Sequence, residues 1–433
     1  MVSPWVWLVT VIFIIGLLLY DYFFHVRVPH TPTLKEAAIW SAVFVGIALV
    51  FGVVVWVFGG SDMGMEYFAG YITEKALSVD NLFVFLIIIN GFRVPRAGQQ
   101  KVLLFGIIFS LITRTAFIFV GAALINSFAW MFYLFGALLI FMAGKQLQPE
   151  SDDESLDDNG AVRLARRFFH TSDDYDGDKL FTQVDGKRAM TPMLLVMIAI
   201  GGTDLLFALD SIPAIFGLTQ STFIVFTATA FSLLGLRQLY FLIDGLLDRL
   251  IYLKYGLAAI LAFIGAKLIL HALHENNVPF INDGEPVPVI EISTGFSLTF
   301  ILGVLIVTVL ASLLSKKGKA LTTIKNTRRH AEQYLDLGYE ADAQLREGNY
   351  RRLLEEERQL RALDDRWDYL IRDEQKMLDL LDDAHREHDR FIQANPQHHT
   401  PGKPLRPEFD TAPFREPEAD PDAGAEARPS GSD

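Results

Sequence analysis

The sequence predicts an all-α polytopic membrane protein of about nine transmembrane helices, built on two inverted three-helix repeats and followed by a cytoplasmic helical tail. Three observations lead there. The 433 residues are 51% hydrophobic with a mean hydropathy of +0.29, above a soluble domain of ordinary charge content. Apolar runs long enough to cross a bilayer recur up to about residue 315, and charge dominates beyond it. Two of these runs bury acids at the same spacing, Glu74 and Asp80 in YITEKALSVDNLFVF and Asp204 and Asp210 in GTDLLFALDSIPAIF. Ionisable groups at that depth are costly and generally functional.

The apolar runs fall at Trp5 to Phe24, Ala37 to Phe58, Met65 to Ile89, Val102 to Ile125, Phe128 to Leu147, Pro192 to Phe216, Phe223 to Leu246, Tyr255 to Leu273 and Gly295 to Leu314. The first lacks a basic leader and a small-residue cleavage site, so a retained span is expected. Residues 1–64 then hold two N-terminal spans, 65–147 and 190–273 the two repeats, 148–189 an acidic linker, and 274–315 an external loop and the ninth span. A charged helical region, 316–395, and a tail rich in Pro, Gly, Asp and Glu, 396–433, complete the chain, the tail being expected to be disordered. Lys and Arg cluster in alternate connections, which puts the N-terminus outside, the C-terminus in the cytoplasm and the protein in the cell membrane.

The repeat rests on more than the acids. Ser110-Leu-Ile-Thr-Arg114 resembles Ser232-Leu-Leu-Gly-Leu-Arg237, and Phe141-Met-Ala-Gly-Lys145 resembles Phe263-Ile-Gly-Ala-Lys267. Spans three to five and six to eight thus read as copies of one unit, and an odd number of helices makes the second enter from the opposite side. The first, second and ninth spans are expected to be peripheral. In the linker, Asp174-Tyr-Asp176-Gly-Asp178 imitates the start of a calcium loop but lacks the later glycine and glutamate, so a solvated loop is expected. Beyond Leu314, Leu353, Leu354, Leu360, Leu363, Trp367, Leu370 and Ile371 recur at helical spacing, giving an amphipathic helix or helical hairpin able to self-associate or to bind a cytoplasmic partner.

Cysteine is absent, which removes disulfides, thiolate zinc sites and iron–sulfur clusters, so a metal could be held only by oxygen or imidazole. Glu74, Asp80, Asn81, Asp204 and Asp210, with Thr73, Ser78, Thr203 and Ser211 beside them, form an oxygen-rich set of the kind that hard divalent cations take. Six residues of helix turn about 600°, so the members of each acidic pair lie about 120° apart. Each span must therefore sit centrally with two faces engaged, or unwind between its acids; Gly201, Gly202 and Pro213 make a break plausible in the sixth. Arg114 and Arg237 are the expected charge-pairing groups, releasing the acids when an ion binds. Lys145 and Lys267 lie near span ends and are expected to snorkel. His271 and His274 lack further ligands nearby.

The run from Glu66 to Phe85, the Asp204 to Ile215 segment and Leu234-Gly-Leu-Arg237-Gln-Leu-Tyr-Phe resemble the TerC/Alx family of integral membrane proteins over roughly Trp5 to Ser315. The resemblance implies manganese efflux as in Alx-like members, a link to metal homeostasis and tellurite resistance, and kinship with lysine-exporter-like transporters. Its acidic positions fall on Glu74, Asp80, Asp204 and Asp210, with Asn81 adjacent. The expected activity is export of Mn2+ or a similar dication, against protons and through a midplane carboxylate site. Neither an enzyme, a permanent cofactor nor a nucleic-acid partner is expected. An intramembrane aspartyl hydrolase using Asp80 and Asp210 lacks its Gly-x-Gly-Asp signature, and a non-transporting scaffold of a tellurite or stress-response complex is the remaining alternative.

Overall fold

A computed structural model describes residues 2–26, 34–92, 94, 96–128, 130–148, 171–172, 175, 177, 179–184, 187–243, 250–276, 278, 281–335, 343–371 and 373–394. The chain forms two compact units, Met1–Leu314 and Ser315–Asp433. The first is helical: α1 (Pro4–Asp21), α2 (Leu34–Gly59), α3 (Ser61–Gly91), α4 (Arg96–Ser127), α5 (Met131–Gln146), α6 (Pro192–Phe216), α7 (Thr222–Leu233), α8 (Leu236–Ile243), α9 (Leu253–His274) and α10 (Thr294–Leu314). A short antiparallel hairpin, β1 (Phe181–Val184) and β2 (Lys187–Met190), precedes α6.

Among the described residues seven helical stretches are long and apolar enough to cross a membrane, the α7/α8 pair counting as one. Two further helices correspond to predicted spans. Met131–Gln146 is apolar but shorter. Ser61–Gly91 has ample length at 31 residues, but it carries Asp62, Glu66, Glu74, Lys75 and Asp80. A helix so polar is stable within lipid only when its charges face protein. Accordingly α3 is central, packed against α2, α6, α7 and α10.

The tightest pairings are α5 with α9, α3 with α7, and α4 with α6. The α5/α9 crossing is set by two glycines: a Cβ on Gly136 would lie 2.8 Å from the Gly265 carbonyl oxygen, and one on Gly265 2.9 Å from that of Gly136. Lipid supplies no hydrophobic drive between helices, so such close backbone approach provides the packing. By contrast α1 and α2 leave Trp5, Phe13, Val50 and Val57 exposed on their outer faces, as lipid-facing helices do. Helix α10 buries a stripe of Ser297, Ile301, Thr308 and Ser312, and Ser312 Oγ accepts the Tyr252 N–H at 3.1 Å.

Three expectations change. Both acidic helices run unbroken, α6 continuing through Pro213, so each is central with two faces engaged. The break lies in the seventh span instead, where Leu234 turns extended and Gly235 takes φ +79°. The first span is also not purely peripheral, because Asp21 at its end is buried against Arg237.

The linker ends in structure, Met190 being buried and Tyr175 donating its hydroxyl to the Phe92 carbonyl at 2.8 Å. Residues 149–170 and the three aspartates of the calcium-like run lie outside the described residues. In the second unit, three helices take the place of a single helix or hairpin: α11 (Lys316–Leu335), α12 (Ala343–Arg361) and α13 (Glu374–Ala394). They close on Tyr334, Tyr350, Leu353, Leu360, Met377 and Leu381. The tail from 395 lies outside the described residues.

Candidate functional site

Arg114 of α4 is fully buried, and its guanidinium gathers side chains from both acidic helices. Nη1 meets Glu74 Oε1 of α3 and donates to Ser211 Oγ of α6 at 3.1 Å; Nη2 donates to Asp204 Oδ1 of α6 at 3.3 Å. With its amide oriented to satisfy both ends, Asn81 accepts from Nη2 at 3.2 Å and donates to the Leu77 carbonyl at 3.1 Å. Glu74 with Asn81 and Asp204 with Ser211 are each seven residues apart, two helical turns, so each pair shares a face. The planar, always charged fork of arginine suits this four-way junction.

Buried ions require compensation, since each loses several kcal/mol of hydration. Here the compensation is incomplete. Glu74 Oε2, Asp204 Oδ2, Ser78 Oγ, Ser110 Oγ, Thr73 Oγ1 and Arg114 Nε are buried without a hydrogen-bond partner among the described residues. Ser78, Asn81, Ser110, Arg114 and Asp204 line the polar side of a small cavity, closed on the other by apolar groups such as Phe85, Ile107 and Leu233. Buried polar atoms are nearly always paired in folded proteins, so the spare oxygens of Ser78, Ser110 and Asp204 that border this cavity stand out.

The other two predicted acids lie off this face. Asp80 is half-buried and accepts from Gln146 Nε2 of α5 at 2.8 Å. Asp210, also half-buried, lies within electrostatic reach of Arg114 and Asp80. The five predicted ligands thus divide into Glu74, Asn81 and Asp204 on Arg114 and the neighbouring Asp80 and Asp210. No group of three or more His, Cys, Asp or Glu among the described residues has the geometry to hold a metal. The Arg114 guanidinium itself lies between Glu74 and Asp204.

Arg237 has a partner the sequence did not single out. Its Nε and Nη2 donate to the two oxygens of Asp21 at 3.2 and 2.7 Å, Nη1 donates to Gln100 Oε1 at 2.9 Å, and Gln238 Nε2 donates to Asp21 Oδ1 at 2.7 Å. Its hydrogen bonds go to Asp21 and Gln100 and not to the motif acids with which it was expected to pair. Lys75 was also missed: its ammonium donates to the Ser232 and Leu234 carbonyls at 2.9 and 3.3 Å. A signal for the break was present, because Ser232 to Arg237 contains one residue more than Ser110 to Arg114.

Of the remaining candidates, Lys145 is exposed. Lys267 is half-buried within reach of Glu66, which accepts from Thr219 Oγ1 at 2.6 Å. His271 Nε2 contacts Gln220 at 2.8 Å and Glu275 at 3.5 Å, and His274 lies 3.6 Å from Glu291.

The sequence matches the profile of the "Integral membrane protein TerC family" over residues 59–320. The "Uncharacterized membrane protein Rv2723" of Mycobacterium tuberculosis is 57% identical over 394 residues, covering 90% of this chain and 99% of the relative. The "Uncharacterized membrane protein STKORF319" of Myxococcus xanthus is 40% identical over 61% of this chain and 83% of its own. The "Putative membrane-bound redox modulator Alx" of Escherichia coli K12 is 40% identical over 56% of this chain and 78% of its own. No solved structure gives a significant match. The matched region contains α3 to α10 with every residue of the Arg114 junction, and on that ground the chain belongs to the TerC family of integral membrane proteins.

Proposed function

We propose that this protein exports Mn2+ or a related divalent cation across the membrane in exchange for protons, through a site built from α3, α4 and α6. The observation that carries the reading is the convergence of Glu74 and Asp204, one from each sequence copy, on the single buried guanidinium of Arg114, with unpartnered oxygens around the adjoining cavity. Carboxylate, amide and hydroxyl oxygens are the donors that Mn2+ and Mg2+ prefer. A cation reaching this place displaces the guanidinium from the acids, and Asp80 and Asp210 supply two further carboxylates beside it. Protons compete directly, because a carboxylate that takes up H+ gives up metal.

The packing supports the inverted repeat. Exchanging spans three, four and five for six, seven and eight turns the α3/α7 pairing into the α6/α4 pairing and returns α5/α9 to itself, and these are the closest helix pairs in the unit. The charge bias of the connections supports an outside N-terminus and a cytoplasmic C-terminus. The E. coli relative's name speaks of redox modulation. This chain has no cysteine for thiol–disulfide exchange, so in our reading an influence on redox state follows from the ion it moves.

The test is flux of Mn2+ into proteoliposomes across a pH gradient. Asp80→Asn and Asp210→Asn are expected to abolish it while the protein still inserts; normal flux from both variants ends the proposal. A non-transporting scaffold is the second reading, favoured by the compact helical unit from Ser315 onward. Deleting Lys319 to Asp433 separates the two: a transporter keeps its flux, a scaffold loses its phenotype.

A further inference from the structure

The interruption between α7 and α8 sits inside a span that is otherwise almost wholly buried. Helix α7 ends because Leu234 takes φ −61°, ψ 133°, and Gly235 follows at φ +79° before α8 resumes at Leu236. The conformation at Gly235 is open to glycine and strained for other residues, and a Cβ there would stand 2.7 Å from Phe44 Cβ. A break leaves the last carbonyls of a helix without their usual amide partners, and within a membrane no water replaces them. The Ala230 carbonyl keeps an amide, from Leu234 at 3.1 Å, and the Gly235 carbonyl receives that of Leu239 at 3.0 Å. The Ser232 and Leu234 carbonyls receive the ammonium of Lys75 instead, reaching across from α3. One turn back, Thr229 Oγ1 is buried without a hydrogen-bond partner among the described residues, while its carbonyl accepts from Ser232 Oγ at 3.0 Å.

Carbonyls freed by an interrupted transmembrane helix are the oxygen type that membrane proteins use to hold dehydrated alkali cations. We propose that the α7/α8 break is a monovalent-cation site whose occupant is a tethered one, the Lys75 ammonium. The site is separate from the Arg114 junction in its ligands, which are neutral carbonyls and not carboxylates. It is joined to it through the backbone, because Glu74 and Lys75 are consecutive on α3 and point about 100° apart. One helix therefore carries the acid held by Arg114 and the base that holds the seventh span together. A resident ammonium makes the break independent of the salt outside, and its removal should create a salt requirement where none existed.

Thermal stability of the purified full chain, read in sodium, potassium and N-methylglucamine chlorides at equal ionic strength, tests this independently of ion flux. Wild type is expected to melt at the same temperature in all three. Lys75→Ala, which opens space at the carbonyls, is expected to melt lower and to recover by about 3–5 °C in sodium or potassium relative to N-methylglucamine. Lys75→Met, which fills the space with an uncharged chain, should be destabilised in all three salts alike. If Lys75→Ala melts identically in every salt, or Lys75→Met is as stable as wild type, the proposal is overturned. Should Lys75→Ala not survive extraction, Lys75→Ser replaces it under the same criteria. Loss of Mn2+ flux in wild type leaves this result untouched, so the two readings fail separately.

Discussion

Arg114 closes a Ser-Leu-Ile-Thr-Arg run inside an unbroken helix, and Arg237 closes a Ser-Leu-Leu-Gly-Leu-Arg run just past a break, yet the two guanidiniums meet different company. Arg237 is a finished clamp. It grips both oxygens of Asp21 and takes Gln100 with its remaining terminal nitrogen, and Gln238 adds a further donor to the same carboxylate. Arg114 is shared between two acids that keep spare oxygens, its Nε has no hydrogen-bond partner among the described residues, and a cavity adjoins it. The same residue at matched places is thus fully bonded in one sequence copy and partly bonded in the other, and under the proposed function the first is a fastening and the second a releasable counter-ion. What separates them is polar satisfaction: a saturated buried pair is costly to disturb, whereas an unsaturated one can trade partners at smaller cost.

The largest expected effect sharpens this contrast. Arg114→Met strands Glu74 and Asp204 together, and Arg237→Met strands Asp21; each loss should cost about 3–5 kcal/mol. Adding Asp21→Asn to Arg237→Met is expected to restore most of the melting temperature and leave Mn2+ flux intact. Adding Glu74→Gln and Asp204→Asn to Arg114→Met is expected to restore folding without flux. Normal flux in that triple variant, or none in the Arg237 double variant, would reverse the assignment of roles.

Gly235→Ala comes next. The left-handed backbone costs about 1–2 kcal/mol for a residue with a Cβ, and the clash with Phe44 adds to it. Inserting no strain elsewhere, the matched position in the first copy lies in continuous helix, so an alanine at Thr113 should be nearly neutral in the same melting experiment. A smaller loss, about 1 kcal/mol, is expected for Tyr67→Phe, which removes a buried hydroxyl donating to the Ala48 carbonyl at 3.0 Å and loosens α3 from α2.

The mildest effect carries the contrast between satisfied and unsatisfied polar groups into the second unit. His385 uses both ring nitrogens, with Tyr350 and Glu357 each at 2.9 Å. His388 uses one, with Glu347 at 3.1 Å, and its Nδ1 is buried without a hydrogen-bond partner among the described residues while its ring stacks on Tyr350. Burial holds the His388 pKa below the usual 6.5, outweighing the opposing pull of Glu347 and Asp389, with His385 adding to the lowering. A histidine kept neutral by the fold stabilises fully above its unfolded pKa and loses that contribution as pH falls through and below it. Hydrogen exchange across Glu374–Ala394 should therefore quicken, after correction for intrinsic rates, between pH 7.5 and pH 5.5, and His388→Phe should flatten the change. Equal acceleration in the variant would remove His388 from the account.

Much of the fold was legible because membrane insertion is read locally. Runs such as Ala37 to Phe58 and Gly295 to Leu314 announce spans by composition alone, and α2 and α10 lie there. The site was legible in part. Glu74, Asp80, Asp204 and Asp210 stood out because charge in an apolar run is conspicuous, and the acidic helices were expected to meet. Their grouping was not visible in the six-residue spacing; the seven-residue pairs, Glu74 with Asn81 and Asp204 with Ser211, are the ones that share a face. Asp21 and Lys75 were not singled out, because a lone charge near a span end or beside a motif acid carries no pattern that distinguishes it.

The sequence by itself determined the solvent of each segment, the absence of thiol chemistry, and the angular relation of residues within each helix, since hydropathy and a turn of about 100° per residue need no partner. Tertiary structure alone decided which acids Arg114 holds, that Arg237 belongs to Asp21, and that Lys75 caps the break in the seventh span. Those choices join helices far apart in the chain. They are made by whichever buried charge finds the nearest compensating group once the helices pack, a condition no single span contains.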